Sequence, residues 1–131
     1  MELTPRLYAI AAQVPQGARL ADVGTDHGYL PVWLLLHGRI ETAIASDLRK
    51  GPLDRARETA QQYGQDKNIS FRLCNGLTDI AADEVDTVVI AGMGGETIVA
   101  ILAAAPWTGR DKLMLLQPMT GMPQLRQWLQ R

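Results

Sequence analysis

The chain has 131 residues, 47% of them hydrophobic and 21% charged, and 13 Lys plus Arg stand against 14 Asp plus Glu for a net charge of −1. One cytoplasmic domain over residues 1–131 fits that length and composition, while a disordered chain and a strongly basic nucleic-acid module are excluded. No apolar stretch reaches the ~20 residues of a membrane-spanning helix, the start Met1-Glu2-Leu3-Thr4-Pro5-Arg6 lacks the order of a secretory signal, and the lone Cys74 can form no internal disulfide.

The first predicted element is a helix, with Thr4 as cap, Pro5 at its first position and Leu3, Leu7, Ile10, Ala11 and Val14 on one face. Pro15-Gln16-Gly17 stops it, and Arg19 to Val23 follows as a short strand. The turn Gly24 to Gly28 leads into an apolar helix from Tyr29 to His37, ended by Gly38. Ala43 to Ser46 is a second strand closing on Asp47, and Gly51-Pro52 opens a helix that Gly64 ends. Ile69 to Leu73 is a third strand, and Leu77 to Ala82 is expected as a short helix. The β-branched, apolar run Thr87 to Ala91 is a fourth strand. Glu96 to Ala105 is a helix, Leu113 to Leu116 a fifth strand, and Leu125, Trp128 and Leu129 mark a last helical face. Strand and helix alternate five times, which predicts an α/β fold with a doubly wound, mostly parallel sheet.

In such a sheet the ligand crevice lies beyond the carboxyl ends of the strands, at the switch point. The segments there are Asp22 to Gly28, Asp47, Cys74-Asn75-Gly76, Gly92 to Gly95 and Gln117-Pro118, all rich in glycine, acid or amide. A dinucleotide loop starting at Gly24 needs glycine two and five positions later, where this chain has Asp26 and Tyr29. Carboxylates at Asp22 and Asp26 also disfavour a pyrophosphate. A ligand with a cationic end suits the site better, and S-adenosylmethionine carries a sulfonium and an ammonium with a single carboxylate. Asp47, 19 residues beyond Gly28, stands where a nucleotide site holds ribose hydroxyls. Asn75 offers an amide to an adenine edge, and Gly76 lets backbone pass close to the ring. Gly92-Met93-Gly94 would let main chain approach the ligands, with Met93 as an adaptable wall. Each of these also has a plainer reading as a turn or a helix cap. His27, His37 and Cys74 lack metal-ligand spacing, so no metal site is expected. Arg49, Lys50, Arg55 and Arg57 form a small basic cluster that is either phosphate-facing or merely solvated.

The run Asp22-Val23-Gly24-Thr25-Asp26-His27-Gly28-Tyr29-Leu30-Pro31, with Lys50-Gly51-Pro52, Asn75-Gly76-Leu77, Gly92-Met93-Gly94-Gly95 and Leu116-Gln117-Pro118, resembles the TrmK family across essentially the whole chain. That resemblance implies a Rossmann-like class I methyltransferase domain, strand order 3-2-1-4-5, that uses S-adenosylmethionine to methylate N1 of the adenine at tRNA position 22. It puts cofactor roles on Asp22, Gly24, Asp26, His27, Gly28, Asp47, Asn75, Gly76, Gly92, Met93 and Gly94. Asp26 is the candidate for stabilising charge that develops on the base, or for orienting the cofactor. Such domains carry two further strands and a helical C-terminal extension that holds tRNA, so the chain is expected to be truncated before both. The fifth strand would then be an apolar edge open to self-association. The alternatives are a methyltransferase for a small molecule or protein, and a non-catalytic module that binds S-adenosylmethionine or tRNA.

Overall fold

The Thr4 hydroxyl accepts a hydrogen bond from the Leu7 N–H at 3.3 Å and Pro5 takes the first helical position, so α1 forms over Pro5–Ala11. The computed structural model describes residues 1–130. After α1 come β1 (Ala18–Val23), α2 (Tyr29–Leu36), β2 (Ile40–Asp47), α3 (Lys50–Gln62), β3 (Ile69–Leu73), β4 (Thr87–Met93), α4 (Gly95–Ala103), β5 (Leu113–Pro118) and α5 (Met122–Leu129). The five strands lie in the order β3-β2-β1-β4-β5, and every neighbouring pair is parallel. This is the doubly wound α/β sheet expected from the alternation.

Strand composition follows from burial on both faces. Val88, Val89 and Ile90 of β4 are all fully buried, which is why the run shows no polar alternation. On one face Leu20, Ala45 and Val89 pack with Ile10, Leu30 and Leu34 from α1 and α2. On the other, Val23, Val88 and Ile90 pack with Ile98, Leu102 and Leu125 from α4 and α5. The chain changes face between β3 and β4, so the switch point falls between the ends of β1 and β4.

Three local expectations are corrected. β2 starts at Ile40 and not at Ala43. Exposed Glu41 and Thr42 hide its first residues from the apolar pattern, while Arg39 draws the chain into line: its carbonyl accepts from Gly17 N–H at 2.8 Å and its guanidinium donates to the Val14 and Ala12 carbonyls. Leu77 to Ala82 does not form a helix. Leu77 and Ile80 anchor it as buried turns, and Arg72 takes the Asp79 carbonyl at 2.7 Å, leaving a single 3-10 turn over Ala82–Glu84. The Arg72 guanidinium also grips Glu84 with two bonds of 2.6 and 2.7 Å, which holds that carboxyl down at about 2. Finally, Gly92 and Met93 are not a free turn. They prolong β4 beside β5, with a shift of register between Ala91 and Met93.

Candidate functional site

The ends of β1, β2 and β4, together with the turns that follow β3 and β5, surround a cavity of about 660 Å³, the size of a small-molecule site. Of the residues singled out in the sequence, Asp22, Gly24, Asp26, His27, Asp47, Asn75, Gly76, Gly92, Met93 and Gly94 all line it.

The loop after β1 is fastened to β2 before any ligand arrives. Gly24 N–H and Thr25 N–H both donate to the Ser46 carbonyl, at 2.9 and 3.0 Å. Gly24 has φ +71°, which glycine adopts without strain, and its Cα faces the terminal methyl of the Met93 side chain. Asp22 is buried and its Oδ2 accepts from the Thr25 hydroxyl at 2.8 Å. Burial pushes the Asp22 carboxyl up to about 7, against the opposing pull of the Thr25 bond and with a further upward push from Asp47.

Asp47 is also buried, and main chain orients both of its oxygens. Oδ1 accepts from Arg49 N–H at 3.0 Å and Oδ2 from Asp26 N–H at 3.3 Å. Each oxygen keeps a second lone pair, which is the acceptor pattern that suits two adjacent hydroxyls. Asp26 itself adopts φ +55°, and its exposed carboxylate meets Arg55 at 3.5 Å and His27 at 3.9 Å. The His27 ring stacks on Tyr29 with centroids 5.1 Å apart, forming a small aromatic wall at the mouth. On the β3 side, the Ser46 hydroxyl donates to the Gly76 carbonyl at 3.2 Å and exposed Asn75 lines the rim.

Gly28 is the one predicted site residue that the structure sets apart from the cavity lining. With φ +72° it caps α2, and its Cα faces α3, where an added Cβ would sit 3.0 Å from the Ala56 Cβ. Its role is close packing of two helices behind the loop. The basic cluster also disperses: Lys50 pairs with Asp54 at 2.6 Å, Arg55 with Asp26, and Arg57 lies over the Phe71 ring, leaving Arg49 at the cavity. Among the described residues no group of three His, Cys, Asp or Glu is placed to hold a metal ion.

Sequence reasoning missed the contribution of α1. Thr4, Arg6 and Leu7 all reach the cavity, and the Arg6 Nη2 lies 3.9 Å from where a Cβ on Gly92 would stand. Thr97 of α4 and Met119 after β5 complete the opposite wall. Apolar residues at helical spacing mark α1 as a helix but say nothing of which end of the sheet it crosses.

A family model described as a methyltransferase domain matches residues 3–131. The chain is 38% identical to the tRNA (adenine(22)-N(1))-methyltransferase of Bacillus subtilis over 98% of its own length and 55% of that protein's. It superposes with a TM-score of 0.93 and 39% identity on a Streptococcus pneumoniae structure solved in complex with S-adenosyl-L-methionine, covering 98% of this chain and 61% of that one. It also superposes with a TM-score of 0.84 and 30% identity on M. capricolum TrmK in complex with S-adenosyl-homocysteine, covering 98% of this chain and 57% of that one. The chain spans about half the length of the curated relatives it matches. No described helix is long and apolar enough to cross a membrane. With a parallel sheet in the order 3-2-1-4-5, an acid-lined cavity at its switch point and a family match over nearly its whole length, the chain belongs to the methyltransferase domain family and is similar within it to TrmK.

Proposed function

We propose that the chain binds S-adenosylmethionine and supplies the catalytic domain of a cytoplasmic tRNA methyltransferase acting on N1 of the adenine at position 22. The observation that carries the cofactor reading is Asp47, buried at the end of β2 with both oxygens aimed by backbone N–H groups. A dinucleotide is disfavoured because Asp22 and Asp26 line the cavity beside the loop after β1 and would oppose a pyrophosphate. When bound, the cofactor supplies a methyl group already activated by its sulfonium.

The residues then have little proton chemistry to do. Ring N1 of adenine carries a lone pair and needs no general base, so positioning supplies most of the acceleration. Gly92, Gly94 and Met93 make the wall at the end of β4 where main chain can come close to an acceptor. Asp26 stands at the rim with its charge shared with Arg55, an arrangement better suited to orienting a bound ligand than to stabilising charge on a base. Asp26→Asn is accordingly expected to lower cofactor affinity and turnover together. A fall in turnover alone, measured against tRNA, would restore it to a catalytic role.

The tRNA reading draws on likeness to the Bacillus enzyme, and the net charge of −1 bears on it. A phosphate backbone is held through many cationic contacts, so a near-neutral domain needs additional polypeptide, such as a helical C-terminal part, to hold tRNA. The outer edge of β5, where Leu113 is 39% exposed, has no strand partner among the described residues. Further chain or a second copy of this one would pair there. Residues 1–131 are therefore expected to bind cofactor yet methylate tRNA poorly by themselves.

Calorimetry with S-adenosylhomocysteine and with NAD tests the first half, and tighter binding of NAD would overturn it. Asp47→Ala should weaken S-adenosylhomocysteine by roughly 10- to 150-fold, the value of hydrogen bonds to a charged group. An unchanged dissociation constant would make Asp47 a structural acid. Mass analysis of tRNA tests the second half, and full methylation by residues 1–131 would remove the need for a separate tRNA-holding segment.

A further inference from the structure

We propose that the outer face of α1 and α2, built on Tyr8, Tyr29 and Trp33, is a stacking platform for RNA bases that flank the acceptor adenine. The inference rests on the tRNA reading above and adds to it a contact surface that starts at the cavity mouth and runs away from it.

The argument starts from α2, which carries no charged residue between Tyr29 and Leu36. A helix that is apolar all round is ordinarily buried on every side. Here Leu30, Val32 and Leu34 enter the core, yet Tyr29 and Leu36 stay 43% and 42% exposed. Tyr29, Trp33 and His37 follow one another at one-turn spacing and so share a single stripe. That stripe is made of rings. His27 stacks on Tyr29 at the mouth, and one turn further Trp33 stacks on His37 with centroids 3.9 Å apart and planes at 20°. The His37 Nδ1 lies 2.8 Å from the Trp33 carbonyl oxygen, which fixes the second pair of rings. Tyr8 of α1, 57% exposed, meets the Trp33 ring edge-on at 5.8 Å. Among the tyrosines, tryptophans and phenylalanine of the described residues, Tyr8 and Tyr29 are the exposed ones, and both stand here.

Charge points to the occupant. Neither helix contains an acid, while Arg6 lies on α1 and Arg39 follows α2, its guanidinium on the Ala12 and Val14 carbonyls and not on a carboxylate. Glu2 and Glu41 lie outside both helices, and Asp26 at the mouth is met by Arg55. By contrast α3 interleaves Lys50, Asp54, Arg55, Arg57 and Glu58, the mixed surface of a solvated helix. Exposed rings beside cations, with no acid among them, suit a ligand that is both aromatic and polyanionic. An unpaired stretch of RNA is such a ligand. The reaction itself supplies that stretch. N1 lies on the pairing edge of adenine, so the base must leave its stack to reach a methyl donor in the cavity, and its neighbours lose a stacking partner. Tyr29 at the mouth and Trp33 one turn beyond are placed to receive them.

The test is a fluorescence titration of the 131-residue chain at low salt, with a short oligoadenylate and an RNA duplex of the same length as probes. Oligoadenylate is expected to bind more tightly than the duplex and to quench tryptophan emission. Trp33→Phe should remove most of the quenching and keep binding, because Trp107 and Trp128 pack on the opposite core. Tyr8→Ala should weaken oligoadenylate by about 5- to 30-fold, the loss of one stacked ring. It should leave S-adenosylhomocysteine affinity unchanged, since Tyr8 is exposed and does not line the cavity. Equal affinity for duplex and single strand would overturn the platform, and so would oligoadenylate binding that Tyr8→Ala leaves intact. Weakening of both ligands by Tyr8→Ala would overturn it too and make Tyr8 a packing residue of α1. A dimer in sedimentation that Tyr8→Ala abolishes would give the face to a second copy instead. The titration involves no methyl transfer, so its failure is distinct from failure of the parent to methylate tRNA, which would overturn the reading beneath it.

Discussion

Gly95→Ala is expected to cost about 2–4 kcal/mol of stability and to lower Tm by roughly 10 °C. Gly95 opens α4, and a Cβ there would lie 2.3 Å from the Gly121 carbonyl oxygen and 2.8 Å from its carbon, both backbone atoms of the turn before α5. No rotamer change can relieve such a clash. The turn would have to retreat, lengthening the 2.6 Å bond from Gly95 N–H to the Thr120 carbonyl. Thermal unfolding checks the prediction, with Gly109→Ala as the control. Gly109 has no left-handed φ and no atom within 4 Å of its Cβ position, so alanine there should be neutral or stabilising. A Gly95→Ala protein melting within a few degrees of the parent would mean that the α4–α5 contact yields easily.

Asp22→Asn should stabilise the protein at alkaline pH while it impairs the cofactor site. Desolvation holds the Asp22 carboxyl at about 7, far above the ordinary 3.8 of an unfolded chain. Between those values the native state keeps a proton that the unfolded state has released. The stability this group contributes is therefore complete below pH 4, falls as pH rises, and is gone above pH 7. At 1.36 kcal/mol per pH unit the total is at most about 4 kcal/mol. Asparagine has no such titration and can still accept from the Thr25 hydroxyl. The variant should match the parent at pH 4 and exceed it by about 2–4 kcal/mol at pH 8 in denaturant titrations. A parallel pH dependence in both proteins would exclude Asp22 as its source. For the cofactor the sign reverses: a cationic ligand favours ionised Asp22, so parent affinity should rise toward pH 7 and above, a gain the variant loses.

The contrast between what was legible in the chain and what was not has a physical basis. Thr87 to Ala91 declares a buried parallel strand because both of its faces are covered, and that requirement is written in consecutive apolar, β-branched residues. Asp47 was legible because its distance from the glycine loop is fixed by one intervening helix and strand. The place of Gly28 behind the loop was not legible, because a glycine that admits a ligand and a glycine that admits a neighbouring helix have the same spacing. Only the position of Ala56 distinguishes them. The turns at Leu77 to Ile80 depend on Arg72 and Glu84 reaching across from other segments, and local propensity carries no trace of that. Arg6 was missed for the same reason. Its placement is decided by how Leu3, Leu7 and Ile10 dock on the sheet, not by anything adjacent in the sequence.

The cavity gathers residues from Thr4 to Met119, with every strand end or following turn contributing. No subset of the sheet holds a smaller version of it: without β2 there is no Asp47, and without β4 the crevice has only one wall. Ligand affinity is consequently a property of the completed topology alone, and partly folded forms gain nothing from the ligand. At a free ligand concentration a hundred times its dissociation constant, that exclusivity shifts the folding equilibrium by about 2.7 kcal/mol toward the native state. In a cell, cofactor supply would then set how much of this protein survives proteolysis as well as how fast it turns over.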